Sequence, residues 1–447
     1  MKKYIPECII GVVALFFFTR ELGTFPAAWS DDSLFMIISR AVAEGDGYNL
    51  KILGNDWLYP YTLAVGPALT LPVALFIKLF GFSVAIARIP MVMYLIASSV
   101  TLYFFTKKYF DSSTAQWTTL LLVTLSAFVN TGKPVLGEVP AFFFLILGLL
   151  LFQKKHPVFI GILFGLSVMT KLTFGLIYPA IGIAWLYALF TRNNTELRKL
   201  TIIGITTVAI YAPWKWFEMN SASGLLKDFA FLAGTEGDTG GLSIVGGDHA
   251  LLLRPQYLFF EVMLLLGAMG LWLKYKAMNK SVWYISVTLI ALFTLYFLLG
   301  PGWYRHALLA HLLLIPFAVH ALRTTTTKYA AIGILTFFVF GQTYWQYDYR
   351  GSNHSTKGAE ATEYIINNYS DAPLVIQQAN IYVQLPRNDN WVFLTNPILT
   401  RRIPKQFITM TPKQQCMGLV RGRVVEDPED VEVLAGKYVL IEPKGDC

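Results

Sequence analysis

Long apolar runs joined by short polar connections make up the chain as far as about residue 346. In order they cover 5–23, 58–80, 84–106, 114–132, 134–152, 157–170, 172–190, 200–217, 256–273, 281–300, 303–322 and 329–346. A helix rises about 1.5 Å per residue, so about 20 apolar residues cross a hydrocarbon core about 30 Å thick. After Asp348 the pattern becomes that of a soluble domain. A helix-like stretch, Gly358–Asn368, is followed by strand-like stretches at Pro373–Gln378, Trp391–Leu394 and Tyr438–Ile441. The pattern predicts a membrane part, 1–347, and a small α/β domain, 348–447.

Charge decides the sides. Lys107/Lys108, Lys154/Lys155, Arg192/Arg198/Lys199, Lys274/Lys276/Lys280 and Arg323/Lys328 crowd one set of connections, with Lys2 and Lys3 at the N-terminus. The opposite set holds only Lys133, Lys171 and Arg305. The positive-inside rule makes the first set cytoplasmic. Run 5–23 then exits with Arg20 outside, and the run ending at Lys107 must finish inside, so 58–80 does not cross. It also contains Pro60, Pro67 and Pro72, which interrupt helical hydrogen bonding. We read it as a juxtamembrane or re-entrant helix within an outer loop, 24–83. The expectation is an all-α polytopic protein of about 11 transmembrane helices with outer juxtamembrane helices, a cytoplasmic N-terminus and an extracytoplasmic α/β tail. The alternative is twelve spans with the first loop folded differently. A second outer loop, 218–255, carries the glycine-dense Gly234–Gly241 and reads as a lid.

Composition sharpens the class. Apolar residues are 55% and charged residues 14%, against roughly 25% charged in soluble domains. Mean hydropathy is +0.51. A soluble enzyme, a disordered chain and a disulfide scaffold are excluded. The net charge of +8 is dispersed between apolar runs, which fits membrane orientation and not nucleic acid. The first run lacks a small-residue cleavage site and reads as an anchor. Cys8, Cys416 and Cys447 show no metal or redox spacing; in an oxidising compartment Cys416 and Cys447 are the pair available.

Few ionisable residues stand near the outer boundary. Asp31 and Asp32 open an amphipathic stretch with apolar residues at 34, 35, 37, 38, 41 and 42. They either cap its helix or serve as general base or divalent-metal ligands. Glu138, in Asn130-Thr-Gly-Lys-Pro-Val-Leu-Gly-Glu-Val-Pro140, is either a partner for Lys133, an interfacial group or a functional carboxylate. Lys171, Arg305 and His306 either snorkel to headgroups or hold a lipid phosphate as leaving group.

These residues resemble, in order, the GT-C glycosyltransferases of the protein O-mannosyltransferase and lipid A aminoarabinose transferase branch. The likeness lies in Asp31-Asp32 with Ile38-Ser-Arg40 and Gly45-Asp-Gly-Tyr48, in Leu79-Phe-Gly-Phe-Ser83 with Ala87-Arg-Ile-Pro90, in Val168-Met-Thr-Lys171, and in Trp303-Tyr-Arg-His306 leading to Pro316. It covers about 1–345. It implies a polyprenyl-phosphate-linked sugar donor and transfer outside the cytoplasm. Asp31 matches the family's catalytic acid, while the family's usual Asp-Glu is Asp-Asp here. Arg88 falls in the second motif, and Asp56 is a loose candidate for a metal or acceptor contact. Some relatives bind a divalent metal, so a metal cofactor stays open, with Asp31 and Asp32 as its candidates.

The expected activity is therefore hexosyl or pentosyl transfer, inverting if it is a single displacement, to an acceptor hydroxyl on a protein, a lipid or a glycan. A flippase of lipid-linked sugars is the alternative, though no inverted repeat is visible. An O-antigen-type polymerase or ligase is another. With no eukaryotic retention signal at the C-terminus, the expected location is a prokaryotic plasma membrane.

Overall fold

The computed structural model describes residues 5–60, 63, 65–153, 156–220, 255–299, 303–348, 356–395, 403, 405–422, 432–434 and 438–441. The expected lid at Gly234–Gly241 lies outside the described residues. The apolar runs become helices: α1 (Ile5–Thr19), α4 (Val84–Tyr109), α5 (Ser112–Thr124), α6 (Ser126–Gly132), α7 (Glu138–Leu151), α8 (Pro157–Thr170), α9 (Ile177–Phe190), α10 (Asn194–Asn220), α11 (Pro255–Lys274), α12 (Lys280–Leu299), α13 (Tyr304–Thr325) and α14 (Lys328–Asp348). Among the described residues, five helical segments are long and apolar enough to cross a membrane unaided, among them α4, α12 and α13. Helix α13 is the hub of the bundle. Residues 306–319 are buried without a gap, so it is enclosed on every face rather than along one stripe.

Three runs depart from uniform helix, and each departure has a local cause. Among the described residues of run 58–80, the α-helix is α3 (Pro67–Phe80). Its 14 residues extend about 21 Å, less than the hydrocarbon core, a length it shares with α7 and α8. The residues before it form a hairpin, β1 (Asn49–Ile52) with β2 (Asn55–Leu58), which the apolar pattern did not announce. Run 114–132 breaks at Leu125, whose ψ of 111° is not helical. The Ser126 amide freed by the break donates to Gln342 Oε1 at 3.2 Å, so α14 heals the gap in α5–α6. Run 134–152 starts its helix only at Glu138, because Pro134 and the residues after it form an irregular connection. A short 3₁₀ turn, Leu172–Leu176, separates α8 from α9.

Helix α2 (Ser30–Glu44) and the hairpin lie in the outer loop. The tail is α/β: α15 (Lys357–Asn368), β3 (Leu374–Ile376), α16 (Ala379–Tyr382), β4 (Trp391–Phe393), β5 (Gly418–Gly422), β6 (Glu432–Val433) and β7 (Tyr438–Ile441), besides two single turns, Lys405–Ile408 and Pro412–Gln415. Its sheet runs β4-β3-β5-β7-β6, with β3 parallel to both neighbours and β7 antiparallel to both of its own. The tail is not a separate lobe. Leu34, Leu50 and Trp57 of the outer loop share one apolar core with Val375, Phe393 and Leu394 of the tail. Hydrogen bonds from Leu53 N to Phe393 O (2.8 Å) and from Gln414 Nε2 to Leu53 O (2.7 Å) cross the same joint. Cys416 is disulfide-bonded and Cys8 is free; Cys447 lies outside the described residues.

Candidate active site

The two aspartates that open α2 do not cap it: no side chain accepts a bond at its N-cap, Trp29. They turn instead to separate partners. Asp32 is wholly buried; its Oδ2 accepts from Arg88 Nη2 at 2.5 Å and its Oδ1 from Val135 N at 2.6 Å. Arg88, also wholly buried, donates from Nη1 to Leu22 O (3.1 Å) and Pro26 O (2.6 Å). This charge-assisted clamp ties α2, α4, the 22–26 loop and the 133–137 connection together. Asp32, expected as a candidate for catalysis or metal binding, has a bond at each carboxylate oxygen and no exposure. Arg88 likewise holds backbone rather than facing an open site.

Asp31 faces the other way. Its side chain is 28% exposed, and its Oδ2 accepts from Arg305 Nη1 at 2.8 Å. Arg305, in the first turn of α13, lies between two indoles, 4.9 Å from the Trp29 ring and 4.3 Å from that of Trp303. A guanidinium stacked in this way keeps its fork direction and charge together. Its Nε is buried without a hydrogen-bond partner among the described residues.

Glu138 stands at the first position of α7 and is 1% exposed. Lys171 Nζ is 3.4 Å from its Oε1, yet neither carboxylate oxygen has a hydrogen-bond partner among the described residues. The approach depends on two backbone features. Helix α8 stops at Thr170, and Lys171 is extended (φ −150°, ψ 120°), which swings its side chain out of the helix. Gly137 then passes so close that a Cβ there would stand 2.7 Å from Thr170 O and 3.0 Å from Lys171 Cβ. Lys133 is not the partner of Glu138: its Nζ donates to Arg20 O at 2.5 Å, with the Phe25 ring 5.3 Å away.

These two pairs form one site. Glu138 is within electrostatic reach of both Lys171 and Arg305, and His306 of Asp31, Lys171 and Arg305. His306 is 7% exposed and packs between the rings of Tyr296 (4.8 Å) and Trp303 (5.4 Å). Thus Asp31, Glu138, Lys171, Arg305 and His306, from widely separated sequence positions, meet at the outer-loop end of the bundle. Asp56 does not join them. It is exposed on β2, where its Oδ1 accepts from Asn49 Nδ2 at 2.6 Å. The aromatic walls Trp29, Trp303, Tyr296 and Phe35, whose ring lies 5.8 Å from Lys171 Nζ, were not anticipated. Trp29 and Trp303 each precede their charged neighbour by two residues, and that was the available signal.

The donor set does not fit a divalent cation. Among the described residues no three His, Cys, Asp or Glu side chains converge. Asp31 and Asp32 diverge to different arginines, so they cannot share an ion. What the site offers is two fixed cations beside two carboxylates, one exposed and one buried. That suits an anion held next to a nucleophile that must lose a proton.

Residues 65–217 match the family profile described as dolichyl-phosphate-mannose-protein mannosyltransferase. No curated protein matches the chain significantly. Among solved structures, ArnT from Cupriavidus metallidurans bound to undecaprenyl phosphate superposes with a TM-score of 0.67 at 13% identity, covering 97% of each chain. The oligosaccharyltransferase AglB from Archaeoglobus fulgidus, in complex with an inhibitory peptide and a dolichol-phosphate, gives 0.60 at 13% identity over 89% of this chain and 65% of its own. At such identities the likeness is one of fold, and it runs through the membrane part and the tail alike. In fold the chain is similar to ArnT over nearly its whole length, and in sequence its residues 65–217 match the mannosyltransferase family profile.

Proposed function

We propose that the protein moves a hexosyl or pentosyl group from a polyprenyl-phosphate donor to an acceptor hydroxyl, outside the cytoplasm. One observation carries this reading: Asp31, the accessible carboxylate, sits against Arg305 and within one charged group with Lys171. Lys171 and Arg305 bind the lipid phosphate and stabilise the charge that grows on it as the glycosidic C–O bond breaks. Asp31 accepts the proton of the acceptor hydroxyl while that oxygen bonds to the anomeric carbon. A single displacement of this kind inverts the anomeric centre. Glu138 keeps Lys171 charged and directed, and His306 walls the phosphate side.

The geometry also supports an order of events. While Arg305 is bonded to Asp31, that carboxylate oxygen is occupied. A donor phosphate competes for the same guanidinium fork and releases Asp31 as it binds. The site belongs outside because the basic connections cluster at the opposite ends of the helices. Transfer of radiolabel from polyprenyl-phosphate sugars to membrane acceptors is the direct test. Label that crosses the bilayer without forming a new glycoside would instead be flippase behaviour, and would overturn the reading.

A further inference from the structure

A cleft of about 460 Å³ opens at the joint between the outer loop and the tail, away from the charged site. Arg40, Glu44 and Lys51 line one wall, Arg387, Asp389 and Trp391 the other. Residues 40–44 lie about 14–20 Å along α2 from Asp31. The cleft is bounded by two strand edges. Tyr59 N bonds Tyr48 O, and the β1–β2 register alternates from there, so Leu50 and Ile52 bond to β2. Asn49 and Lys51 therefore turn their backbone N–H and C=O to the other side, where the cleft lies. Opposite them, β4 ends its sheet, pairing only with β3 among the described residues. The two edges meet at one point, the bond from Leu53 N to Phe393 O, and diverge from it.

The walls carry both signs of charge. Arg387 bonds Glu44 and Asp46, and Arg40 bonds Glu44 at 3.0 Å and Leu385 O at 3.2 Å. Lys51 and Asp389 remain exposed on opposite sides. Balanced charge of this kind favours neither an anionic headgroup nor a polycation. Strand edges that face each other across a polar gap match an extended backbone, which completes ladder bonds on either side.

We propose that this cleft docks an extended polypeptide segment of mixed charge by strand addition to β1, β4 or both. The proposal is independent of the transfer chemistry, and so is its test. Purified full-length protein is titrated into a fluorescein-labelled peptide of about ten residues, alternating Thr and Val with one Lys and one Glu, and anisotropy is read. Saturable binding is expected. Lys51→Pro removes a cleft-facing N–H and spares the β1–β2 bonds; it should weaken binding about fivefold. Ala41→Trp, which fills the cleft, should abolish binding, and Asp389→Lys should shift preference toward acidic peptides. Melting temperatures and donor-lipid turnover of Lys51→Pro and Asp389→Lys should match wild type. Absence of saturable binding, or equal affinity in wild type and all three variants, would overturn the proposal. Displacement of the label by maltoheptaose but not by unlabelled peptide would overturn it in favour of a glycan site.

Discussion

The pairs Asp32–Arg88 and Asp31–Arg305 are built from the same two chemical groups, and their acidic members are neighbours in the chain. One pair is sealed, with both side chains at 0% exposure; the other is open, at 28% and 12%. A sealed pair has exchanged water for fixed partners, and losing either member strands a charge in a low dielectric. An open pair is screened and exchangeable, so it contributes little to stability and can trade partners with a ligand. Successive positions on a helix point about 100° apart, which is why adjacent aspartates end in such different surroundings. The sealed pair fixes the start of α2, from which the open pair projects.

Breaking the sealed pair should have the largest effect. Asp32→Ala leaves Arg88 buried and unpaired, at a cost of about 3–5 kcal/mol. Thermal unfolding in detergent should show a marked fall, with activity lost alongside. Replacing both members by apolar residues, Asp32→Leu with Arg88→Met, should recover much of that stability. A fall in Asp32→Ala no larger than that of a surface variant would show that the clamp is not structural.

Asp31→Asn should do the opposite: unfolding temperature unchanged, transfer down by at least about 10²-fold. Near-normal transfer would remove Asp31 as the base. Lys171→Ala sharpens the comparison from the cationic side. It should raise the donor KM or cut turnover by about tenfold, while also leaving Glu138 unneutralised. Some loss of stability is therefore expected with Lys171→Ala, and none with Arg305→Lys, which keeps the charge. Trp29→Ala should have a smaller effect, a few-fold on donor affinity, through loss of one stacking face.

The smallest effect is expected at the far end of the bundle. Burial acts to raise the Asp111 carboxyl, but bonds from the Thr114 side chain and backbone and from Arg323 outweigh it and hold the pKa at about 2. A depressed carboxylate adds stability above its unfolded pKa near 4 that is lost as pH falls toward 2. Asp111 is half exposed, so the contribution is small. Arg323→Ala should flatten the acid limb of the unfolding curve between about pH 4 and pH 2 without changing transfer.

Much of this could be read along the chain, where the cause is local. The helical character and order of the apolar runs followed from the pattern, since lipid demands internally bonded helices. The tail strands at 374–376, 391–393 and 438–441 followed from alternation, and lie within the stretches expected. Asp31, Glu138, Lys171, Arg305 and His306 stood out because ionisable groups at membrane depth are rare. The β1–β2 hairpin was hidden, because its strands are only four residues long and Leu50, Ile52 and Trp57 fall outside the apolar runs. The break at Leu125 was hidden too, because its compensation comes from Gln342 over two hundred residues away.

The partners were the part that no linear reading settles. The sequence by itself determined that a few charged residues stand at one face of an apolar bundle, because hydropathy and charge are properties of single positions. It also determined that two carboxylates open α2. Which of them is sealed and which stays open was decided only by tertiary structure. Arg88 and the Val135 amide arrive from α4 and the 133–137 connection to seal Asp32, and Arg305 arrives from α13 to meet Asp31. Likewise Glu138 goes to Lys171 rather than to the nearer Lys133, because Gly137 permits the close approach and the end of α8 frees the lysine. Burial and pairing depend on what packs from elsewhere in the chain, and that information exists only once the helices have assembled.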